Sequence, residues 1–300
     1  MDRREFLKIA GISGIGMSIP AGIDTLINSA EASLESSIVV ATGKSPSKIT
    51  RAAIDAFGGI RKFISKGDVV VIKPNMAWDR TPAHAANTNP YVVGTVVRLC
   101  FEAGAKKVRV FDRPVNDPRR CYVQSGIAAT AESAGADVVH IDERKFRDMK
   151  INGKALKTWP IYSEILDADK VINVPVAKHH GLARLTMSMK NWMGVMGGRR
   201  SQIHQELDQS LVDLSMAIKP VLTVLDAVRI LTANGPQGGS LSDVKQMDTV
   251  IVGTDQVAID SFGATLFGMK GSDLGYVKLA HKAGFGQMEL SKIDIKKITV

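Results

Sequence analysis

The stretch VINVPVAKHHGLARLTMSMKNWMGVMGG, residues 171–198, decides the fold class. It opens on a short apolar strand, Val171-Ile172-Asn173-Val174, which stops at Pro175. Lys178, His179 and His180 follow, then Gly181, a helix-like run that begins near Leu182, the triplet Lys190-Asn191-Trp192, and an exit rich in glycine. A buried strand that runs straight into a polar cluster and then a helix is how open α/β sheets build ligand sites at the carboxyl ends of their strands. Core packing gives no reason for Lys-His-His at that place, so the segment marks a candidate site.

The flanking sequence repeats the alternation. Apolar strands are predicted over 37–41, 68–73 (DVVVIK), 107–111 (KVRVF), 137–141 (DVVHI), 170–174, 221–225 (VLTVL), 248–252 (DTVIV) and 293–300. Helical patterns over 49–64, 90–103, 126–134, 205–218, 257–267 and 276–283 fall between them. Strands separated in this way indicate βαβ units, and their near-continuous apolar character indicates a sheet covered on both faces. Residues 147–162 break the rhythm as a β-hairpin insertion, with Asn152-Gly153 at its turn. The expected fold is α/β, a mostly parallel or mixed sheet flanked by helices, in one lobe or two around one cleft. No low-complexity linker divides residues 33–300, which read as a single domain.

The N-terminus reads as an export signal. Arg3-Arg4-Glu5-Phe6-Leu7-Lys8 resembles a twin-arginine motif, a mildly apolar glycine-rich stretch follows, and Ala30-Glu31-Ala32 supplies a small-x-small cleavage site. Residues 1–32 are then a signal peptide, the mature chain begins at Ser33, and the twin-arginine export machinery is a partner. The competing reading is a surface amphipathic helix with a chance arginine pair. The implied location is the periplasm or cell envelope, with no stable membrane span after cleavage, since no apolar run reaches the ~18 residues a span needs.

The formal charge is +9, and the leader carries three basic and four acidic residues, so the remaining chain is +10. A positive field favours phosphates and carboxylates. Aromatics are only 5%, too few for a base-stacking platform, and nucleic acid is not expected as a partner. The two cysteines, Cys100 and Cys121, form no CxxC pair, so this chain alone builds no four-cysteine iron–sulfur cluster. An oxidising envelope would permit a disulfide between them, against which the apolar helical setting of Cys100 argues.

Several strands end in polar groups, which in a parallel sheet lie along one edge. They are Lys73 and Asn75 around Pro74, Asp112, the Lys178-His179-His180 loop, Asp226, and Gly253-Thr254-Asp255. Lys73 and Lys190 are candidate anion holders, and His179, His180, Lys178 and Lys190 the candidate acid/base or catalytic groups. Asn75, Asp112, Asn191, Asp226, Asp255 and Asp260 are candidate ligand-binding groups. Adjacent histidines point in different directions, so at most one of the pair faces the ligand directly. Each residue also has a bland reading: a helix N-cap for Asp112 and Asp255, a dipole partner for Lys190 at a helix C-terminus. The only cofactor this set suggests is a divalent metal. No GxGxxG, Walker lysine motif or GxSxG occurs.

Four segments, VVVIKPNM (69–76), VINVPVAKHHGLARLTMSMKNWMGV (171–195), LTVLDA (222–227) and GTDQVAIDSFGATLFG (253–268), together resemble the domain-of-unknown-function 362 family. The resemblance spans essentially the whole mature chain and implies a fold and a site position without a reaction. Some members carry appended ferredoxin-like domains, whose cysteines this chain lacks. A distant, fragmentary likeness to the lactate racemase family, which uses a nickel-pincer nucleotide, rests on a strand leading to a Lys/His loop and a glycine-rich turn. No catalytic role carries across on it.

The resulting expectation is an exported α/β protein that binds an anionic small molecule or metal at a strand-end cleft, with acid/base chemistry of the isomerase kind. The competing expectation is a non-catalytic envelope carrier, or an accessory factor in redox-protein maturation.

Overall fold

The computed structural model describes residues 36–300, and the export leader expected over residues 1–32 lies outside the described residues. The chain runs β1 (Ser36–Thr42), α1 (Pro46–Ala56), β2 (Val69–Pro74), α2 (Pro90–Glu102), β3 (Lys107–Val110), α3 (Pro118–Gln124), α4 (Ile127–Ser133) and β4 (Asp137–Val138). The hairpin β5 (Phe146–Lys150) and β6 (Thr158–Tyr162) comes next, then α5 (Ser163–Asp167), β7 (Lys170–Val174), β8 (Val176–His180) and β9 (Arg184–Thr186). Two 3-10 segments, Met189–Val195 and Arg200–Glu206, lead into α6 (Leu207–Ala217). The chain closes with β10 (Leu222–Leu231), β11 (Val244–Gly253), α7 (Gln256–Thr265), α8 (Gly275–Lys282) and β12 (Ile293–Thr299).

Three helices begin with one local device. Ser45, Asn89 and Asp117 each accept a backbone N–H in the first turn, and a proline follows at the first helical position. The side chain satisfies a donor the helix cannot, and the proline ring presets φ where no N–H is needed. Removing such a cap costs about 1 kcal/mol.

One ten-stranded sheet carries the fold, in the order β12-β1-β11-β10-β7-β2-β3-β4, with β8 paired to β10 and β9 to β8. Its strand pairs are parallel except those of β11, which is antiparallel to β1 and β10, and the β8–β9 pair. Successive side chains alternate between two cores. Val39, Val70, Ile72, Val110 and Val224 pack with α1, α2 and α4, while Val71, Phe111, Leu225 and Ile251 pack with α6, α7 and α8. Fully burying one such side chain contributes about 1.5–3 kcal/mol, so both faces are strongly held. The sheet is therefore mixed and flanked by helices, and Glu35–Val300 forms one compact unit rather than two lobes.

Direction along the sheet corrects one expectation. Because β11 runs against its neighbours, Gly253-Thr254-Asp255 emerges at the opposite edge from the ends of β2, β3 and β7. Four polar strand regions share the edge, not five. Likewise Asp226 lies within β10, which continues to Leu231. The expected helix from Leu182 is absent: the Lys178-His179-His180 segment is β8, residues 184–186 form β9, and the 3-10 segment starts at Met189. The expected hairpin insertion is present, with Gly153 accepted into a turn longer than two residues. Cys100 and Cys121 are both buried and free.

From β2 the chain steps outward to β3 and β4, and from β7 it steps the other way to β10. The adjacent strands β2 and β7 thus flank a topological switch point. A crevice opens at the carboxyl ends of strands at such a point, because the loops leave in opposite directions.

Candidate functional site

A cavity of about 450 Å³ lies at this switch point. Lys73 and Asn75 come from the end of β2, Asp112 and Arg113 from the end of β3, Lys178 and His180 from β8, and Lys190 and Asn191 from the first 3-10 segment. Arg200 and His204 come from the second 3-10 segment. Ala77, Trp78, Val115, Leu182, Met193 and Pro236 add an apolar lining. Of the five lysine and arginine side chains that line the space, Lys73 is paired with Asp112 and Arg113 with Glu143, which leaves Lys178, Lys190 and Arg200 without a carboxylate partner among the described residues.

That carboxylate is spent. Asp112 Oδ1 sits 2.8 Å from Lys73 Nζ and accepts from Arg113 N, while Oδ2 accepts from Met76 N at 2.7 Å. Lys73 is equally spent: beyond Asp112 it donates to Pro74 O and to Asn191 Oδ1, which uses its three protons. Both side chains are 1% exposed. Burial pulls the Lys73 ammonium below its ordinary range, and Asp112 opposes the drop. The expected anion holder is thus a structural strut. Gly194 explains how the strut fits, since a Cβ there would stand 1.8 Å from Asp112 Oδ1 and 2.4 Å from Lys73 Nζ.

An amide relay ties the floor together. Asn191 accepts from Lys73 and from Asn75 Nδ2, and donates to Lys73 O and Asn173 Oδ1. Lys178 Nζ donates to Asn75 Oδ1 and Ala86 O and lies over the Trp78 ring. Burial lowers its pKa well below the usual range; Asp112 opposes this, and Lys190 and Lys73 add to it. One of its three protons has no acceptor among the described residues.

Strand alternation separates the two histidines. His180 lies on the same face of β8 as Lys178 and lines the cavity, whereas His179 points away, accepts from Gly235 N, and borders a second cavity with Arg184 and Lys245. His180 Nδ1 accepts from Leu182 N and Ala183 N, so the neutral ring carries its proton on Nε2. Burial, with Lys190 and Lys178 nearby, pushes its pKa down to about 3. At neutral pH His180 is a fixed N–H donor.

Lys190 stands apart. It is 5% exposed, and its Nζ meets the Met193 sulfur at 2.9 Å. Burial, aided by Arg200, brings its pKa down to about 7. Thr186 also lines the cavity, and its Oγ1 has no hydrogen-bond partner among the described residues.

Besides His179, three expected site residues lie off the cavity. Asp255 caps α7 and accepts from Ser36 Oγ and Gln287 N. Asp226 accepts from Asn89 N and Val228 N, anchoring the start of α2, and burial raises its pKa to about 6. Asp260 accepts from Ser188 N and Met189 N, and burial raises its pKa to about 8. It holds the start of the segment that carries Lys190 and positions it from behind. Lys190-Asn191 therefore sits near the start of a 3-10 segment, where no C-terminal helix dipole acts on it.

Arg113, Arg200, His204 and Trp78 line the cavity without having been expected there. Arg113 had a signal, as the neighbour of Asp112 after a strand. Arg200 and His204 had none, because a 3-10 segment has no periodic signature in so short a run. Among the described residues no group of three or more His, Cys, Asp or Glu could hold a metal ion. The donors that do converge are ammonium, guanidinium and N–H groups, which suit an anion.

The family described as Domain of unknown function (DUF362) matches residues 70–265. A thylakoid-associated protein of Synechocystis sp. is 27% identical over 218 residues, covering 70% of this chain and 66% of that protein. The lactate racemase apoprotein from Thermoanaerobacterium thermosaccharolyticum superposes with a TM-score of 0.43 at 10% identity, over 72% of this chain and 54% of that one. A structural-genomics target from Thermotoga maritima gives 0.44 at 8% identity, over 79% and 59%. The chain thus spans less than two thirds of the length of each of these proteins. Among the described residues no helix is long and apolar enough to cross a membrane.

Proposed function

The chain belongs to the DUF362 family, and we propose that its cleft binds an anionic organic small molecule and performs acid/base chemistry beside the anion. The observation that carries this reading is an imbalance of partners: five lysine and arginine side chains line the space, and once Asp112 is paired with Lys73 and Glu143 with Arg113, Lys178, Lys190 and Arg200 have no carboxylate partner among the described residues. Lys190, the free proton of Lys178, the His180 Nε2–H and the Thr186 hydroxyl are left to meet a ligand. About 450 Å³ accommodates a small organic molecule, and the apolar lining suits a carbon frame.

In this reading Lys178 and His180 hold the anionic group, and Lys190 takes up or returns a proton, since it titrates close to neutral pH. A proton moved at the carbon next to a carboxylate is isomerase-like chemistry. His180 supplies a hydrogen bond to developing negative charge instead of acting as a base, because its Nδ1 already accepts two N–H groups. Arg3-Arg4 and the small-x-small Ala30-Glu31-Ala32 support, as part of the same proposal, export of this activity to the periplasm or envelope. A second reading, a non-catalytic carrier, draws on the absence of a free carboxylate base among the residues lining the cleft.

Calorimetry with acetate, malonate and inorganic phosphate tests the reading, alongside native mass spectrometry of protein purified from its own compartment. The expected result is anion binding that weakens in high salt and is lost in Lys178→Met. Absence of any retained anion, together with binding that ignores Lys178→Met, would sink it.

A further inference from the structure

The three cleft lysines differ in what their ammonium protons meet. Lys73 has three oxygen acceptors and Lys178 has two. Lys190 Nζ has, among the described residues, only the Met193 thioether. A thioether is a weak acceptor and offers little to an ammonium ion. With no carboxylate to balance it and Arg200 close by, the buried charge is costly, and a large share of the side chain is free amine near neutral pH. An unprotonated lysine in an apolar, cation-flanked pocket is a nitrogen nucleophile toward a carbonyl carbon.

We propose that Lys190 Nζ forms a Schiff base with the carbonyl of an α-keto acid bound in this cleft. The proposal rests on the anion-binding reading of the same site. The carboxylate would engage Lys178 and the His180 Nε2–H, which leaves the adjacent carbonyl for Lys190, with Leu182, Val115 and Met193 against the remaining carbon chain.

The step balances without an oxidant. The amine lone pair forms a C–N bond to the carbonyl carbon while the C=O π pair moves onto oxygen. Both amine protons pass to that oxygen, relayed by His204 or solvent, and it departs as water to leave the imine. His204 lines the same cavity and lies close enough to Lys190 for its own pKa to be lowered by that charge, after the larger effect of burial.

The test incubates the full chain with pyruvate and sodium cyanoborohydride near pH 7 and maps the reduced adducts by peptide mass spectrometry. Acetate binding is measured in parallel by calorimetry. The expected result is one dominant adduct on Lys190, formed about 100-fold faster than on surface lysines, whose amines are almost wholly protonated at that pH. Lys190→Arg and Lys190→Met should lose it while keeping the native circular dichroism. If acetate binds and its binding is lost in Lys178→Met but no adduct forms on Lys190, the Schiff base is overturned and the anion site stands. If adducts scatter over surface lysines and acetate does not bind, both readings fall.

Discussion

Replacing Lys190 with methionine should make the protein more stable, by an amount that depends on pH. Methionine keeps the unbranched stem and sets a second thioether against Met193, without the charge. In the unfolded chain the lysine titrates near 10.5, and in the fold near 7. The folded value is the lower, so between these limits the native state holds fewer protons than the unfolded one, and wild-type stability rises with pH across that window. Below pH 7 both states are charged and the native state bears the full cost of the buried ammonium. At about 1.4 kcal/mol for each tenfold change in proton affinity, the full cost is about 5 kcal/mol, falling to about 2 kcal/mol at pH 9. Lys190→Met should therefore exceed wild type by about 3–5 kcal/mol near pH 6, with the difference shrinking steadily toward pH 10. Urea unfolding at a series of pH values, with m unchanged, measures this. A variant less stable than wild type near pH 6, or a difference that ignores pH, would refute the reading of Lys190 as a desolvated amine without a partner.

Gly194→Ala should push Asp112 off Lys73 and cost about 3–5 kcal/mol, the range for breaking a buried ion pair; a loss under about 1 kcal/mol in guanidinium melts would contradict the packing. Asp226 and Asp260 have folded pKa values above the ordinary carboxylate range, so their stabilisation is complete below about pH 4 and is lost as pH rises through about 6 and about 8. Asp226→Asn should flatten the fall in unfolding midpoint between about pH 4 and 6, and an unchanged slope counts against the assignment. N-terminal sequencing of protein from an envelope fraction should begin at or near Ser33, and an intact Met1 there would refute cleavage.

How much of this was legible in the sequence varies by element. Strands such as 69–74 and 170–174 announced themselves, because a strand buried on both faces must be apolar at consecutive positions. The direction of β11 was less visible. A signal existed: NGPQGGS lies between β10 and β11 with no helical pattern, which fits a hairpin-like connection and hence an antiparallel strand. Leu182, Leu185, Met189 and Trp192 imitate helical spacing, yet the segment folds as β9 and a 3-10 run. The bonds that decide it, from Ser188 N and Met189 N to Asp260, come from over 70 residues away. The site's location was readable from polar groups after strands. That Lys73 is a strut and Lys190 is free was not readable, because it depends on which acceptors the fold brings to each amine.

The cleft has one fixed jaw and one adjustable one. β8 is bonded to β10 on one side and to β9 on the other, so the backbone that carries Lys178 and His180 is held in the sheet. The facing wall is built from 3-10 segments, and Arg200 holds the second of them through the carbonyls of Arg113 and Pro114. Sequence change along Arg200–Glu206 can therefore resize the mouth while the donors on β8 keep their positions. Under the proposed function, relatives that share the β8 groups and differ in that segment would take molecules of different girth.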